Sequence, residues 1–288
     1  MGGCVNCELK NYYAILRAVI GVHMHDLFWL YLGLAFMVGS IWVTLTTIAA
    51  ERFGSKIGGF IGGLPSTAVV SFFFIGLSQS PTAASQSTSV FPLAYGFTGL
   101  FLLLYAMLAA NGFMVALLGS LLVWFILSTM AVILALQNFS LSLIAYGFIL
   151  LLSFYVFETK LKLVSSTRAE IHYSMRQILW RAAFGGFMVA FAVLVAKFAG
   201  PLVGGIFSAF PAVFISTLTI SYQSRGIEFS RAITKPLMVT GMVTIVIYSI
   251  GVRYFYPSWG LVAGTFMAYA IAMMSALFTG IFIQKKLV

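Results

Sequence analysis

Long apolar runs separated by short polar connections dominate the chain and predict nine helical spans, at about 27–50, 57–79, 88–110, 112–136, 139–157, 178–199, 201–222, 234–252 and 257–283. Each is close to the roughly 20 residues that a helix needs to cross the hydrocarbon of a bilayer. Tyr12 to Val22 is apolar but too short to span and lacks the small-residue cleavage site of a signal peptide, so a surface-lying helix is expected there. The connection near Asn111 leaves room only for a tight hairpin, and Glu158 to Gln177 is the one sizeable polar loop. Within that loop, Thr167 and Glu170 have the spacing of a capping box that starts a short helix. These breaks divide the chain into a surface segment (1–26), a first four-span block (27–136), a linker span with its loop (137–177) and a second four-span block (178–288).

Composition agrees with this pattern and narrows the class. Hydrophobic residues make up 61% of the chain, charged residues 8%, and the mean hydropathy is +1.06, values that belong to a polytopic integral membrane protein of the all-α class. The net charge of +10 does not point to nucleic acid, because the basic residues lie between apolar runs as topology signals. One side of the membrane carries Lys10, Arg17, Lys197 and Arg253. The other carries Arg52, Lys56, Lys160, Lys162, Arg168, Arg176, Arg181, Arg225, Arg231, Lys235, Lys285 and Lys286. Twelve against four places the C-terminus in the cytoplasm and the N-terminus outside, in the cell membrane.

A repeated string gives the spans an internal relation. Gly54, Gly58, Gly59 and Pro65 recur as Gly200, Gly204, Gly205 and Pro211, all at an offset of 146 (211 − 65), which is how a duplicated unit looks. The two copies fall in spans two and seven, an odd number of crossings apart, so they run in opposite directions. Spans one to four and six to nine are then expected to be inverted-topology repeats in a 4+1+4 arrangement, the construction of many secondary transporters.

Proline inside a helix removes one amide donor and crowds the carbonyl four residues earlier, here Ile61 and Phe207. In lipid, irregular backbone is tolerated only where it is buried in protein or lines a wet cavity. The predicted substrate site therefore gathers Gly58, Gly59, Gly62, Gly63, Pro65, Ser66, Thr67 and Ser71 from span two, with Gly204, Gly205, Ser208, Pro211, Ser216 and Thr217 from span seven. Glu51 and Lys197, equivalent under the offset, are the candidate gating residues. The same glycines also form GxxxG pairs such as Gly54/Gly58, which serve close helix packing without any ligand.

The rest of the chemical inventory works by exclusion. None of the six acids (Glu8, Asp26, Glu51, Glu158, Glu170 and Glu228) lies at the centre of a span, which disfavours a proton-driven exporter of bulky cations. Asp26 has no partner aspartate, and His23, His25 and His172 sit at span edges, so no intramembrane enzyme, metal site or cofactor is expected. Cys4 and Cys7 form a single CxxC with no second pair. The partners expected are a small solute and membrane lipids, with a homodimer admitted.

The half-unit, with Lys56, Gly58, Gly59 and Pro65 in its second helix, resembles small membrane families of the GlpM-like kind, which implies a fused version of a small repeat. The architecture is similar to inverted-repeat secondary transporters of the drug/metabolite transporter kind, which implies alternating access. The function expected is a secondary transporter or facilitator for a small neutral or anionic solute or an ion. A non-transporting assembly or scaffold protein and a lipid flippase are the alternatives.

Overall fold

A computed structural model of the protein describes residues 27–49, 65–161 and 173–286. Among these, the chain is all helical. Helix α1 spans Leu27–Ala49. It is followed by α2 (Ser66–Ser78), α3 (Pro81–Ser87), α4 (Phe91–Leu108), α5 (Phe113–Ile133) and α6 (Phe139–Val156). The second part of the chain comprises α7 (Met175–Phe198), α8 (Pro201–Ser208), α9 (Ala212–Ala232) and α10 (Thr234–Lys286). Seven helical segments among the described residues are long and apolar enough to cross a membrane. The surface helix expected at 12–22 and the capping box expected at Thr167 and Glu170 lie outside the described residues; the capping box observed is Ser174 with Gln177, at the start of α7.

The structure gives three of the expected elements a definite form. The interruption expected at Pro211 is a full break, which divides span seven between Ser208 and Ala212 into α8 and α9. The connection between spans two and three is itself helical, because Ser80 accepts the Ala83 amide and starts α3 with Pro81 at its first position, where no amide is needed. Spans eight and nine are two helices within the run α10, and they meet at the non-helical Gly260 (φ 76°, ψ 179°) rather than at 253–256. Its counterpart in the first half is Gly112 (φ 101°, ψ 159°), between α4 and α5. A positive φ with extended ψ is a region that only glycine enters at little cost, so both half-units turn the same corner with the same residue.

The halves are matched in three dimensions as well as in sequence. Helices α1 and α7 are equivalent under the offset of 146 and pack directly on each other. Gly39 faces Val189, and reciprocally Gly185 faces Val43; each residue of one contact is the equivalent of a residue in the other. Phe28 meets Phe198 near the start of α1 and the end of α7, so the two helices run antiparallel. Reciprocal contact of this kind is the signature of a two-fold relation. Tyr95 and Gly241 are themselves equivalent, and the Tyr95 hydroxyl reaches the Gly241 carbonyl at 3.5 Å across the same axis. Linker helix α6 packs along α4, where Gly96 faces Tyr146 and Ile149, and along α10, where the Tyr146 hydroxyl donates to the Met242 carbonyl at 2.9 Å.

Close approach at α1 and α7 depends on the missing side chains. A Cβ at Gly186 would overlap the Phe36 carbonyl and the Ser40 hydroxyl, whereas one at Gly147 would meet nothing within 4 Å. Gly186→Ala is therefore expected to destabilise the protein by about 1–3 kcal/mol, the usual cost of overpacking. Gly147→Ala is expected to leave thermal unfolding in detergent unchanged or slightly raised. Equal midpoints for the two variants contradict the α1–α7 contact.

Candidate functional site

The two prolines do not sit inside helices; each occupies the residue just before one. Pro65 (φ −75°, ψ 58°) precedes α2 and Pro211 (φ −75°, ψ 37°) precedes α9, and neither helix has a side-chain cap. Proline suits this boundary because its fixed φ and missing amide fit a helix start. The first amides of a helix have no carbonyl behind them, and they carry the positive end of its dipole. Around the break in the second half the carbonyls are rearranged rather than freed. The Phe207 carbonyl, expected to be orphaned, accepts from the Phe210 amide at 3.1 Å, and the Phe210 carbonyl accepts from Ala212 at 2.8 Å.

The carbonyl that needs outside help is that of Ala209. Thr98, on α4, donates its hydroxyl to it at 2.7 Å, and the Thr98 oxygen in turn accepts from Trp124 Nε1 at 3.1 Å. All three groups belong to buried residues. The bridge runs from α5 through α4 to the α8–α9 break, so a first-half residue holds a second-half backbone turn. Thr244 is the equivalent of Thr98 at the offset of 146; it is fully buried, and its hydroxyl has no partner.

Between the two breaks lies a cavity of about 30 Å³. A volume of this size exceeds the 10–15 Å³ or so that one water requires and has room for about two. The first turn of α2 (Ser66, Thr67, Ala68) and the first turn of α9 (Val213, Phe214) both border it, as do Pro211, Ser208 and Phe210 from the break. Tyr95, Thr98, Gly241 and Ile245 complete the wall from the two helices that meet on the pseudo-two-fold axis. No charged side chain lines it. From this level α2 runs towards Gly260, its Gly76 facing Leu261 on α10. Helix α9 runs the opposite way towards Gly112, with Tyr222 stacked on Phe113 at 4.2 Å. The two helix starts therefore converge on the cavity from opposite directions.

Of the predicted site residues, Ser66, Thr67, Ser208 and Pro211 are brought to this cavity, and Pro65 borders its first helix. Gly204 and Gly205 are not in its wall; they let α8 press against Ala196 of α7 and against the Ser87 carbonyl of α3. Ser216 and Thr217 donate back to the Val213 carbonyl of their own helix, at 2.9 and 2.7 Å, and Ser71 is buried elsewhere in α2. Lys197 is exposed, with its ammonium 5.8 Å from the centre of the Phe28 ring. Gly58, Gly59, Gly62, Gly63 and Glu51 lie outside the described residues. Glu158 pairs with Lys235 of α10 at 2.7 Å, tying the linker to the second half. Sequence reasoning missed Tyr95, Thr98, Trp124 and Gly241. Extending the 146-residue alignment beyond the glycine string would have paired Thr98 with Thr244 and Gly39 with Gly185.

Thr98→Val strands the Ala209 carbonyl and the Trp124 N–H in a buried site, at about 1–3 kcal/mol for each unsatisfied group. Thr244→Val removes a hydroxyl that already has no partner and is expected to be neutral or slightly stabilising. Thermal unfolding of the two isosteric variants in one detergent checks this: a midpoint that falls for Thr98→Val alone is the expected result, and equal shifts rule out the bridge.

The family model described as "Protein of unknown function (DUF3147)" matches the chain twice, over residues 32–138 and 178–286. No curated protein and no solved structure matches it. The two matched regions start 146 residues apart (178 − 32) and end 148 apart (286 − 138). The first spacing is that of Pro65 and Pro211, the second that of Gly112 and Gly260, so the second copy gains two residues between its broken helix and its last corner. The match bears out the two-half reading, and its description carries neither the GlpM-like name nor a transporter. With both of its halves matched, this chain belongs to the DUF3147 family and carries the family's unit in two copies.

Proposed function

We propose that the protein is a secondary transporter or facilitator that moves a small neutral or anionic solute across the cell membrane by alternating access. The observation that carries this reading is the uncharged cavity enclosed by the starts of two symmetry-related helices, where amides and hydroxyls converge in the middle of a membrane bundle. In this reading nine crossings form a 4+1+4 inverted repeat, with the Gly260 end outside and the Gly112 end in the cytoplasm, as the basic residues predict.

Alternating access needs two closures that open in turn, and each end of the cavity has one. At the Gly260 end the Arg253 guanidinium donates to the Ser85 carbonyl at 3.2 Å and the Ser89 hydroxyl at 2.9 Å, while the Ser85 hydroxyl donates to the Arg253 carbonyl at 2.8 Å. At the Gly112 end Tyr105 and Ser230 share a hydrogen bond of 2.7 Å, and Arg231 Nε donates to the Ala106 carbonyl at 2.9 Å. Ser85 and Arg231 are equivalent at the offset of 146, so each half closes one end with the same segment. With both ends shut, the arrangement fits an occluded form.

The packing roles of Gly204 and Gly205 favour a second reading, a non-transporting scaffold in which the glycines serve only helix contact. Cysteines introduced at Ser66 and Val213 separate the two. In a transporter both react with a membrane-impermeant thiol reagent, from one face or the other according to conformation. Arg253→Gln, which removes charged hydrogen bonds contributing about 1.5–3 kcal/mol each, raises labelling from the Gly260 side by about tenfold or more. Cysteines that stay inert from both faces, with and without Arg253→Gln, favour the scaffold.

A further inference from the structure

A partly buried cation, Arg181, stands away from the end closures. Arg181 lies in the second turn of α7, within a segment long and apolar enough to cross a membrane. Its Nη1 donates to the hydroxyl of Thr217 on α9, its guanidinium sits 5.7 Å from the centre of the Tyr173 ring, and its Nε is buried with no hydrogen-bond partner. Among the described residues the ion pairs are Arg231 with Glu228 and Lys235 with Glu158, and neither involves Arg181. A guanidinium always carries its charge, and a buried donor left open is costly, so a charge held this way inside a membrane protein calls for a counter-ion.

The surroundings indicate what that counter-ion is. Thr217 is one turn beyond Val213, which lines the cavity, and Phe184, one turn along α7 from Arg181, meets the cavity residue Phe210 with ring centres 6.3 Å apart. Arg181 therefore stands beside the cavity, on its Gly112 side. Ser221, one further turn along the same face of α9, is fully buried and its hydroxyl has no partner. The equivalent of Arg181 in the first half is Ala35, which is fully buried and carries no charge. Beyond Arg181, the first-turn amides of α2 and α9 border a space for about two waters, which limits a fitting ligand to a few heavy atoms.

We infer that Arg181, with Thr217, is a binding site for a small monovalent anion on the route between the cavity and the Gly112 end. The inference rests on the transport reading only in naming that anion as the solute carried. The test uses the full chain in lipid nanodiscs, with thermal unfolding followed as potassium chloride, nitrate or formate replaces potassium gluconate at constant ionic strength. At least one of the three is expected to raise the midpoint saturably. Arg181→Gln is expected to weaken that apparent affinity by about tenfold or more, the effect of a lost charged hydrogen bond, and Arg181→Lys by less. Should Arg181→Gln not fold, Thr217→Val, which keeps the charge and removes its anchor, is expected to weaken the response several-fold. No saturable rise with any of the three salts, or wild-type affinity in the folded variants, overturns the site. Saturable Arg181-dependent binding without anion flux into proteoliposomes removes the transport reading and leaves the site. Flux of an uncharged solute without anion binding does the reverse.

Discussion

Inside a bilayer a peptide group without a partner has no water to fall back on, and the break between α8 and α9 exposes the protein to that penalty at its centre. The Thr98 hydroxyl removes it by taking the Ala209 carbonyl, and Trp124 completes the chain from α5. The arrangement of the bundle follows from this bridge. Helix α4 must lie beside the break, α5 must lie behind α4, and the two halves must interlock for a first-half threonine to reach a second-half turn. Once the break is stabilised in this way, two helix starts are left facing a small uncharged space with their amides unclaimed by side chains.

The two-fold relation between the halves is close in the backbone and loose in the chemistry. Gly39 with Val189 and Gly185 with Val43 are reciprocal contacts, and Gly112 and Gly260 turn equivalent corners with similar dihedral angles. The polar groups are not duplicated. Thr98 is bonded where Thr244 has no partner, and Arg181 stands where the other half has Ala35. Duplication supplies two interchangeable frames, and divergence of a few polar side chains makes one side of the cavity differ from the other.

Glycine plays its part in this protein mainly by absence of a side chain. Gly39, Gly185 and Gly186 bring α1 and α7 together, and Gly204 and Gly205 seat α8 against α7 and α3. In the second copy, Gly204 and Gly205 therefore mark the walls that hold the broken helix, and Ser208 and Pro211 border the cavity itself. For Gly204 and Gly205 this corrects the expectation that they line the site.

Membrane class, helical content, the near-half-chain repeat and the antiparallel sense of its two copies were legible in the chain, because apolar run length, loop charge and recurring Gly and Pro are local properties that survive without coordinates. Pro65, Ser66, Thr67, Ser208 and Pro211 were legible for the same reason, since a proline in an apolar run announces a backbone interruption wherever the chain folds. Which residue repairs that interruption was not legible. Thr98 lies 111 residues from Ala209, and nothing local to an ordinary threonine in an apolar helix records that its hydroxyl will meet a distant carbonyl. The same holds for Arg181, which reads as a topology marker at a span edge until packing sets it against Thr217. Local sequence thus decided where the helices interrupt and that the two copies run in opposite senses, while the long-range pairing of buried polar groups, which depends on helices packing side by side, was decided only by the tertiary structure.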